Sequence, residues 1–184
     1  MAIGRSFEEA IQKGVRMLGT GASGLTDHPF VLGPLARELS RATPRRIFAV
    51  AEALKRGWGV EKVSRASRID PWFIARIQSV VRTRKRIDKQ GASISTKLLA
   101  QAKRRGFADA EIGKATGLGE DGARLKRVEA GIKPVVKKID TLAAEFPAET
   151  NYLYLTYHGS EDELPAEGFR RKVVVLGSGP YSIG

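Results

Sequence analysis

Residues 55–69, KRGWGVEKVSRASRI, form a stretch that the chain repeats at residues 104–118 as RRGFADAEIGKATGL. With Gly57 aligned on Gly106, an offset of 49 residues, the two stretches match without a gap. A glycine, an aromatic, a β-branched residue, an alanine, a hydroxyl residue and an aliphatic residue follow in the same order in both. The matched pairs after the glycine are Trp58 and Phe107, Val63 and Ile112, Ala66 and Ala115, Ser67 and Thr116, and Ile69 and Leu118.

This pattern predicts a helix that stops at the glycine, a short second helix, and a turn into a third helix. Glycine suits the left-handed conformation that ends many helices, and the aromatic residue after it can fold back onto the last turn. Two copies are fewer than a solenoid normally requires. The repeat is therefore one duplicated helical lobe or a chance likeness of two helix-turn-helix elements, and we favour duplication.

The composition indicates a globular protein that is long enough to bury a core. Hydrophobic residues make up 42% and charged residues 28% of the 184 positions, which is ordinary for this class. No apolar run approaches the roughly 18 residues that a membrane span requires, and the acidic Glu8 and Glu9 follow too soon for a signal peptide. Cysteine is absent, which excludes disulfides and a thiol nucleophile and fits a reducing compartment. We expect a cytoplasmic protein without membrane contact.

The net charge of +12 raises the hypothesis of nucleic-acid binding. A recognition helix needs polar side chains at its N-terminus to reach base edges. The third helices of the two copies instead begin with Trp72-Phe73 and with Glu120-Asp121, so neither suits a DNA groove. Moreover, the basic residues are spread over several clusters, as on solvated helix faces. A basic helix-turn-helix DNA-binding module is kept as the alternative function, although we do not expect nucleic acid as a partner.

Helix signals precede and follow the first copy of the repeat. Ser6 and Glu9 form a capping box, in which Glu9 reaches back to the cap, and the helix runs to about Leu18. Glycines and prolines then predict a linker over residues 21–42. Thr43-Pro44 opens the next helix as cap and first-turn proline, and Asp70-Pro71 opens a long helix that runs to about Ile87.

The sequence changes in character after the second copy. Residues 151–157, NYLYLTY, have the aromatic and β-branched composition of a strand. Residues 172–184, KVVVLGSGPYSIG, are typical of the opening strand and glycine turn of an α/β domain, so we expect the chain to continue into such a domain. The turn lacks a full G-x-G-x-x-G pattern, which leaves only a weak candidate cofactor loop, formed by Gly177, Gly179 and Gly184.

No catalytic or metal-binding residues are predicted. The two histidines, His28 and His158, lie in unrelated stretches and have no second ligand or base at useful spacing. A regulatory ligand-binding domain is a third hypothesis, but no polar constellation supports it.

Several stretches in fixed order resemble the large subunit of carbamoyl-phosphate synthetase. Residues 2–13, AIGRSFEEAIQK, resemble the segment that closes the first ATP-grasp unit of that family. Residues 46–57, RIFAVAEALKRG, and 69–73, IDPWF, resemble the start of its helical middle domain. Residues 138–146, KIDTLAAEF, and 174–180, VVLGSGP, resemble the exit into its second synthetase half.

The resemblance covers nearly the whole chain, with residues 23–40 the least similar, and departs from the usual family pattern at Leu142 and at Tyr181-Ser182. It implies an all-α fold, an irregular helical bundle with two helix-turn-helix-like repeats and a C-terminal strand from the next α/β domain. The implied domains are a tail helix of the preceding ATP-grasp unit (residues 1–20), a linker (21–42), the helical oligomerisation domain (43–150), and a connector with the first strand and glycine loop of the next domain (151–184).

The function that the resemblance implies is that of a non-catalytic oligomerisation and spacer domain. The parent enzyme makes carbamoyl phosphate for arginine and pyrimidine biosynthesis from bicarbonate, two ATP and ammonia that a glutaminase small subunit supplies. ATP and Mg would bind the parent's other domains, and the implied partners are the adjacent synthetase domains and a second copy of the chain. The candidate core or interface residues are Trp58, Trp72, Phe73, Ile77, Val81 and Phe107.

Overall fold

A computed structural model describes residues 2–140, 142, 145–147 and 152–163. These residues form eight α-helices and two short β-strands, so the predicted all-α class is confirmed. A 3-10 turn, Gly91–Ser93, joins the fifth and sixth helices. The elements are α1 (Phe7–Met17), α2 (Leu35–Ser40), α3 (Arg46–Lys55), α4 (Val60–Ser67), α5 (Pro71–Gln90), α6 (Thr96–Arg104), α7 (Asp109–Thr116), α8 (Gly119–Glu129), β1 (Val135–Lys138) and β2 (Leu153–Thr156).

The repeat appears as two three-helix lobes, α3-α4-α5 and α6-α7-α8. Gly57 and Gly106 end α3 and α6 with φ of 89° and 82°. The Trp58 N–H donates to the carbonyl five residues earlier at 3.0 Å, and the Phe107 N–H makes the same bond at 3.1 Å. Both helices therefore stop in the glycine-dependent motif that the sequence predicts.

The hydroxyl residue of each copy closes the same turn. Ser67 donates to the carbonyl four residues earlier at 2.8 Å and accepts the N–H two residues later at 3.3 Å. Thr116 makes the two equivalent bonds at 2.8 and 3.4 Å. This shared detail supports duplication over a chance likeness.

Helix α5 is the wall that the two lobes share. Ile74, Ile77 and Val81 are buried in the core of the first lobe. Val80 and Ile87, on the adjoining face of the same helix, are buried in the core of the second lobe. One 20-residue helix thus joins two hydrophobic cores.

The stretch predicted as a linker is instead part of the first lobe. It contains α2, and its apolar residues Leu25 and Leu39 are fully buried. Val15 of α1 lies in the same core, so the first helix is not a separate body. Glycine and proline break regular structure locally, but the aliphatic residues between them still gain from burial.

Two predicted helix starts need correction. Helix α3 begins at Arg46 without a side-chain cap, and the Thr43 carbonyl accepts the Arg46 N–H at 3.0 Å in a preceding turn. In α1, Ser6 Oγ accepts the Glu9 N–H at 3.2 Å as predicted. The Glu9 carboxylate, however, accepts the backbone N–H of Arg5 at 2.8 Å, and not that of the cap residue.

The predicted strand within residues 151–157 is present as β2, and it pairs with β1 in an antiparallel ribbon. The Thr156 hydroxyl donates to the buried Glu9 carboxylate at 3.0 Å, which docks the ribbon on α1. The Arg5 guanidinium adds a bond to the Tyr154 hydroxyl at 3.2 Å. The sequence did not predict β1 as the partner strand. The predicted strand at residues 172–176 and its glycine loop lie outside the described residues.

Candidate functional site

The six candidate residues fall into two groups. Phe107, Ile77 and Val81 are at most 3% exposed and belong to the cores, and Trp58 is half-buried against the first core. Trp72 is 50% and Phe73 is 43% exposed. Of the six candidates, Trp72 and Phe73 are therefore the two that are exposed enough to contact another domain or another protein.

Trp72 and Phe73 form an aromatic cluster with Phe7, the first residue of α1. The ring centroid of Phe7 lies 5.8 Å from that of Trp72 and 5.4 Å from that of Phe73. The centroids of Trp72 and Phe73 are 5.0 Å apart. These distances are typical of favourable edge-to-face pairs. Phe7 was not among the six candidate residues, although its position next to the N-cap residue Ser6 was a signal that it lies at the end of the lobe.

Local structure fixes this aromatic cluster at the start of α5. Asp70 accepts the Trp72 N–H at 2.8 Å, and the proline after it sets the first helical turn. The Arg76 guanidinium lies 5.0 Å from the Trp72 ring centre and 4.0 Å from the Glu8 carboxylate. The exposed rings are thus held in a defined geometry next to a cation.

The two repeat aromatics have different environments despite equivalent positions. A Cβ atom on Gly106 would lie 2.9 Å from Cβ of Gln12 and 3.0 Å from Cα of Glu9, so α1 packs directly on this helix end. Gly57 has no such neighbour within 4 Å. Helix α1 therefore packs on the end of α6, next to the buried Phe107. Trp58 stays only half-buried, and the Lys62 ammonium lies 3.9 Å from its ring centre.

Glu111 is a buried carboxylate that sequence analysis did not single out. Its side chain is fully buried, accepts a hydrogen bond from the Thr26 hydroxyl at 2.8 Å and lies 3.9 Å from the Arg84 guanidinium. One carboxylate oxygen has no hydrogen-bond partner among the described residues and would be 2.5 Å from a Cβ on Gly24. Burial raises the pKa of Glu111 to about 7 against the opposing effects of Thr26, Arg84 and Arg16.

A second, largely buried group of charges pairs two cations with one carboxylate. Asp109 pairs with Lys103 at 2.7 Å and with Arg127 at 2.9 Å. Burial alone would raise the pKa of Asp109, but the hydrogen bonds from Arg127 and Lys103 outweigh it and hold the pKa below its usual value. At the equivalent positions of the first lobe, Leu54 corresponds to Lys103 and Val60 to Asp109. The second lobe therefore has an ion pair where the first lobe has two apolar side chains.

The described residues offer little for catalysis or metal binding. His158 makes a 2.8 Å hydrogen-bond contact with the carbonyl of Arg104, and His28 stacks on Phe30 with a pKa that burial lowers. Across the described ranges, no cluster of three His, Cys, Asp or Glu side chains could hold a metal ion. The candidate loop of Gly177, Gly179 and Gly184 lies outside them.

The charge of α5 is partly neutralised within the protein. Besides the Arg76 contact with Glu8, Arg84 pairs with Asp88 at 2.8 Å.

The described part of the chain contains no helix with the length and apolarity of a membrane span. Its fold and exposed aromatic cluster define a helical packing module.

Comparison with known proteins gives that module a family. Residues 1–131 match the family described as carbamoyl-phosphate synthetase large chain, oligomerisation domain, and the chain belongs to this family. The match includes α1 and the stretch predicted as a linker, in agreement with their place in the first lobe.

Similar proteins include large multidomain chains. The chain is 42% identical to the multifunctional protein ura1 of Schizosaccharomyces pombe. It is 39% identical to the carbamoyl phosphate synthase arginine-specific large chain, mitochondrial, of the same organism, and 40% identical to the carbamoyl phosphate synthase large chain of Pseudomonas syringae pv. tomato. Each alignment covers the whole of this chain, but the chain spans only 8%, 16% and 18% of the respective relatives.

Proposed function

We propose that the chain is the non-catalytic assembly and spacer domain of a longer carbamoyl-phosphate synthase large chain. Membership of the oligomerisation-domain family supports this function, as does the small share of each relative that the chain spans. The parent enzyme would make carbamoyl phosphate from bicarbonate, two ATP and ammonia derived from glutamine. ATP and Mg would bind in the other domains, and the loop of Gly177, Gly179 and Gly184 would belong to one of them.

The proposal extends to the partners and the cellular role of the parent. Its partners would be the adjacent synthetase domains, a glutaminase small subunit and a second copy of the chain. Its product would supply arginine and pyrimidine biosynthesis, as the arginine-specific relative suggests by its name. A cytoplasmic location is in keeping with a sequence that has no cysteine, since disulfides are rare in reducing compartments.

The observation that carries the proposal is the exposure of the aromatic cluster. Large aromatic side chains and arginine are the residues that most often dominate the binding energy of protein interfaces. Trp72 and Phe73 leave about half of their surface open beside Arg76. A symmetric contact, in which the start of α5 meets the same surface of a second copy, would bury these rings.

The test is the oligomeric state of the full-length gene product by sedimentation velocity. Replacing Trp72 and Phe73 together by serine should convert the assembly into smaller species, because the loss of both aromatic anchors weakens association by at least about 2 kcal/mol. The matched control replaces Leu125 and Val128 of α8, which are also exposed, by serine and should leave the assembly unchanged.

Two outcomes would contradict the proposal. An assembly that survives the double aromatic substitution would exclude the aromatic cluster as the subunit contact. Tight binding of random duplex DNA that falls steeply as salt rises would instead favour the basic helix-turn-helix alternative.

A further inference from the structure

A surface pocket of about 430 Å³ lies between the segment before α2, α2 itself and the turn before α3. It shares no residue with the aromatic cluster or with the buried charges around Glu111, so the function proposed above leaves it unexplained. We name it the arginine pocket and define it by Pro34, Arg37, Glu38, Arg41, Pro44 and Arg45.

The arginine pocket has positive charge that the protein does not neutralise. Its arginines, Arg37, Arg41 and Arg45, are exposed, and within the described part of the chain none of them forms an ion pair or a side-chain hydrogen bond. Glu38 is the only acidic residue that lines the pocket. Its carboxylate accepts the Gly33 N–H at 3.3 Å and not a guanidinium hydrogen. Three guanidinium groups therefore share the pocket with one carboxylate, which leaves two positive charges in excess.

This arrangement is unfavourable for the protein without a ligand. Arg37 lies in α2 and Arg41 directly after it, about one helical turn away, where like charges repel each other. Elsewhere in the protein, Arg56, Arg84 and Arg127 each pair with a carboxylate at 2.7 to 2.9 Å. The unpaired arginines therefore indicate an anionic ligand, since charge-assisted hydrogen bonds to such a ligand would offset the repulsion.

The elements that carry the arginines are held in place by the first core. Leu35 and Leu39 of α2 are buried in it, so the helix cannot rotate about its axis. The Arg45 guanidinium lies 5.6 Å from the centre of the Phe30 ring, and this ring packs on the buried Phe48 with centroids 4.7 Å apart. The arginine pocket is therefore preformed, which lowers the entropic cost of binding.

We propose that the arginine pocket binds a small ligand with two linked phosphate groups, either inorganic pyrophosphate or the diphosphate end of a nucleotide. Each guanidinium group presents its N–H donors in a planar fork that matches two phosphate oxygens. A diphosphate has acceptor oxygens for all three arginines and enough negative charge to offset the excess. The volume of the pocket lies within the range of about 300 to 1,000 Å³ that is usual for small-molecule sites.

The test is isothermal titration calorimetry of inorganic pyrophosphate and, separately, of ADP into the 184-residue protein. At about 0.15 M salt the Debye length is about 8 Å, so attraction by the overall charge of +12 is largely screened while direct contacts persist. We expect one pyrophosphate to bind per chain. If ADP binds about tenfold more tightly, which corresponds to about 1.4 kcal/mol, the natural source of the phosphate groups is a nucleotide.

A matched pair of triple variants locates the binding. Changing the three arginines of the pocket to glutamine should weaken pyrophosphate binding about tenfold or more, because the charge-assisted hydrogen bonds are lost. The control removes three charges from exposed arginines of α5, α6 and α8 and should change binding less than about twofold, because salt screens distant charges. Circular dichroism checks that both variants are folded. The control substitutions are Arg82→Gln, Arg104→Gln and Arg124→Gln.

Three results would overturn the inference. The first is that neither ligand binds, and the second is that both triple variants weaken binding equally, which would show attraction by overall charge alone. The third is that citrate, a carboxylate anion of comparable charge, binds as tightly as pyrophosphate, which would contradict a site for phosphate. The outcome is independent of the proposed assembly function, because Trp72 and Phe73 are unchanged in every variant.

Discussion

At the scale of single residues, the two lobes make the same turn with different side chains. Arg68 follows α4 in the left-handed conformation with φ of 56°, and Gly117 occupies the equivalent position after α7 with φ of 76°. A side chain makes this conformation unfavourable by roughly 1 kcal/mol, whereas glycine adopts it readily. The first lobe therefore contains local strain that the second lobe avoids.

Arg68→Gly should raise the free energy of unfolding by about 0.5 to 1 kcal/mol, because relief of strain outweighs the greater freedom of glycine in the unfolded chain. The reciprocal change, Gly117→Arg, should lower it by about 1 kcal/mol. Urea denaturation of both variants measures the difference. A loss of stability in Arg68→Gly would show that the arginine side chain contributes more than its backbone strain.

Glu111 predicts a pH-dependent stability. Its pKa is about 7 in the folded protein, against an ordinary value of 4.5. Between these values the folded state holds a proton that the unfolded state has released, so the free energy of unfolding falls as pH rises from about 4.5 to about 7 and then levels off. The expected fall from this group is about 3 kcal/mol.

Urea denaturation of the parent and of Glu111→Gln across this pH range tests the prediction. The glutamine variant should lack this part of the slope and be the more stable protein at pH 8. Parallel curves for the two proteins would mean that Arg84 and Arg16 keep the carboxylate ionised when folded.

At the scale of elements, the helix ends of α3 and α6 are equal in conformation and unequal in packing. Both stop at a glycine with positive φ. Only Gly106 has α1 against it, and its carbonyl accepts a hydrogen bond from Arg16 at 2.7 Å. The packing of α1 therefore requires a residue without a side chain at position 106, whereas position 57 is under no such packing constraint.

Gly57→Ala and Gly106→Ala form a matched pair that separates conformation from packing. The first should cost about 1 kcal/mol of stability, from left-handed strain alone. The second should cost about 3 kcal/mol or more, because the new methyl group must also displace the backbone of α1. Thermal denaturation compares them, and equal losses would show that α1 moves aside freely.

At the scale of the whole molecule, the shared helix α5 couples the two lobes. Its buried residues belong to both cores, so neither lobe can unfold without exposing part of the other. The protein contains two tryptophans, Trp58 and Trp72, and both belong to the first lobe. Their fluorescence therefore reports on the lobe that a substitution in the second lobe does not touch.

Phe107→Ala, in the second core, should lower the free energy of unfolding by about 3 to 5 kcal/mol. Since the lobes are coupled, tryptophan fluorescence and far-ultraviolet circular dichroism should shift together and give coincident denaturation curves. A fluorescence transition that stays at the parent midpoint while the dichroism signal moves would show two independent lobes.

The sequence by itself determined the repeat, its glycine-ended helices, the turn into each third helix, the Asp70 and Ser6 caps and the strand β2. These features depend on conformational preferences and hydrogen bonds within a few residues, so they can be predicted from local patterns. Only the tertiary structure decided that residues 22–39 join the core, that α1 packs on Gly106, that β1 pairs with β2 and that Trp72 and Phe73 stay exposed. Burial of an apolar side chain depends on which distant segment meets it, and an apolar residue has the same sequence signature inside a core as on a surface that awaits a partner.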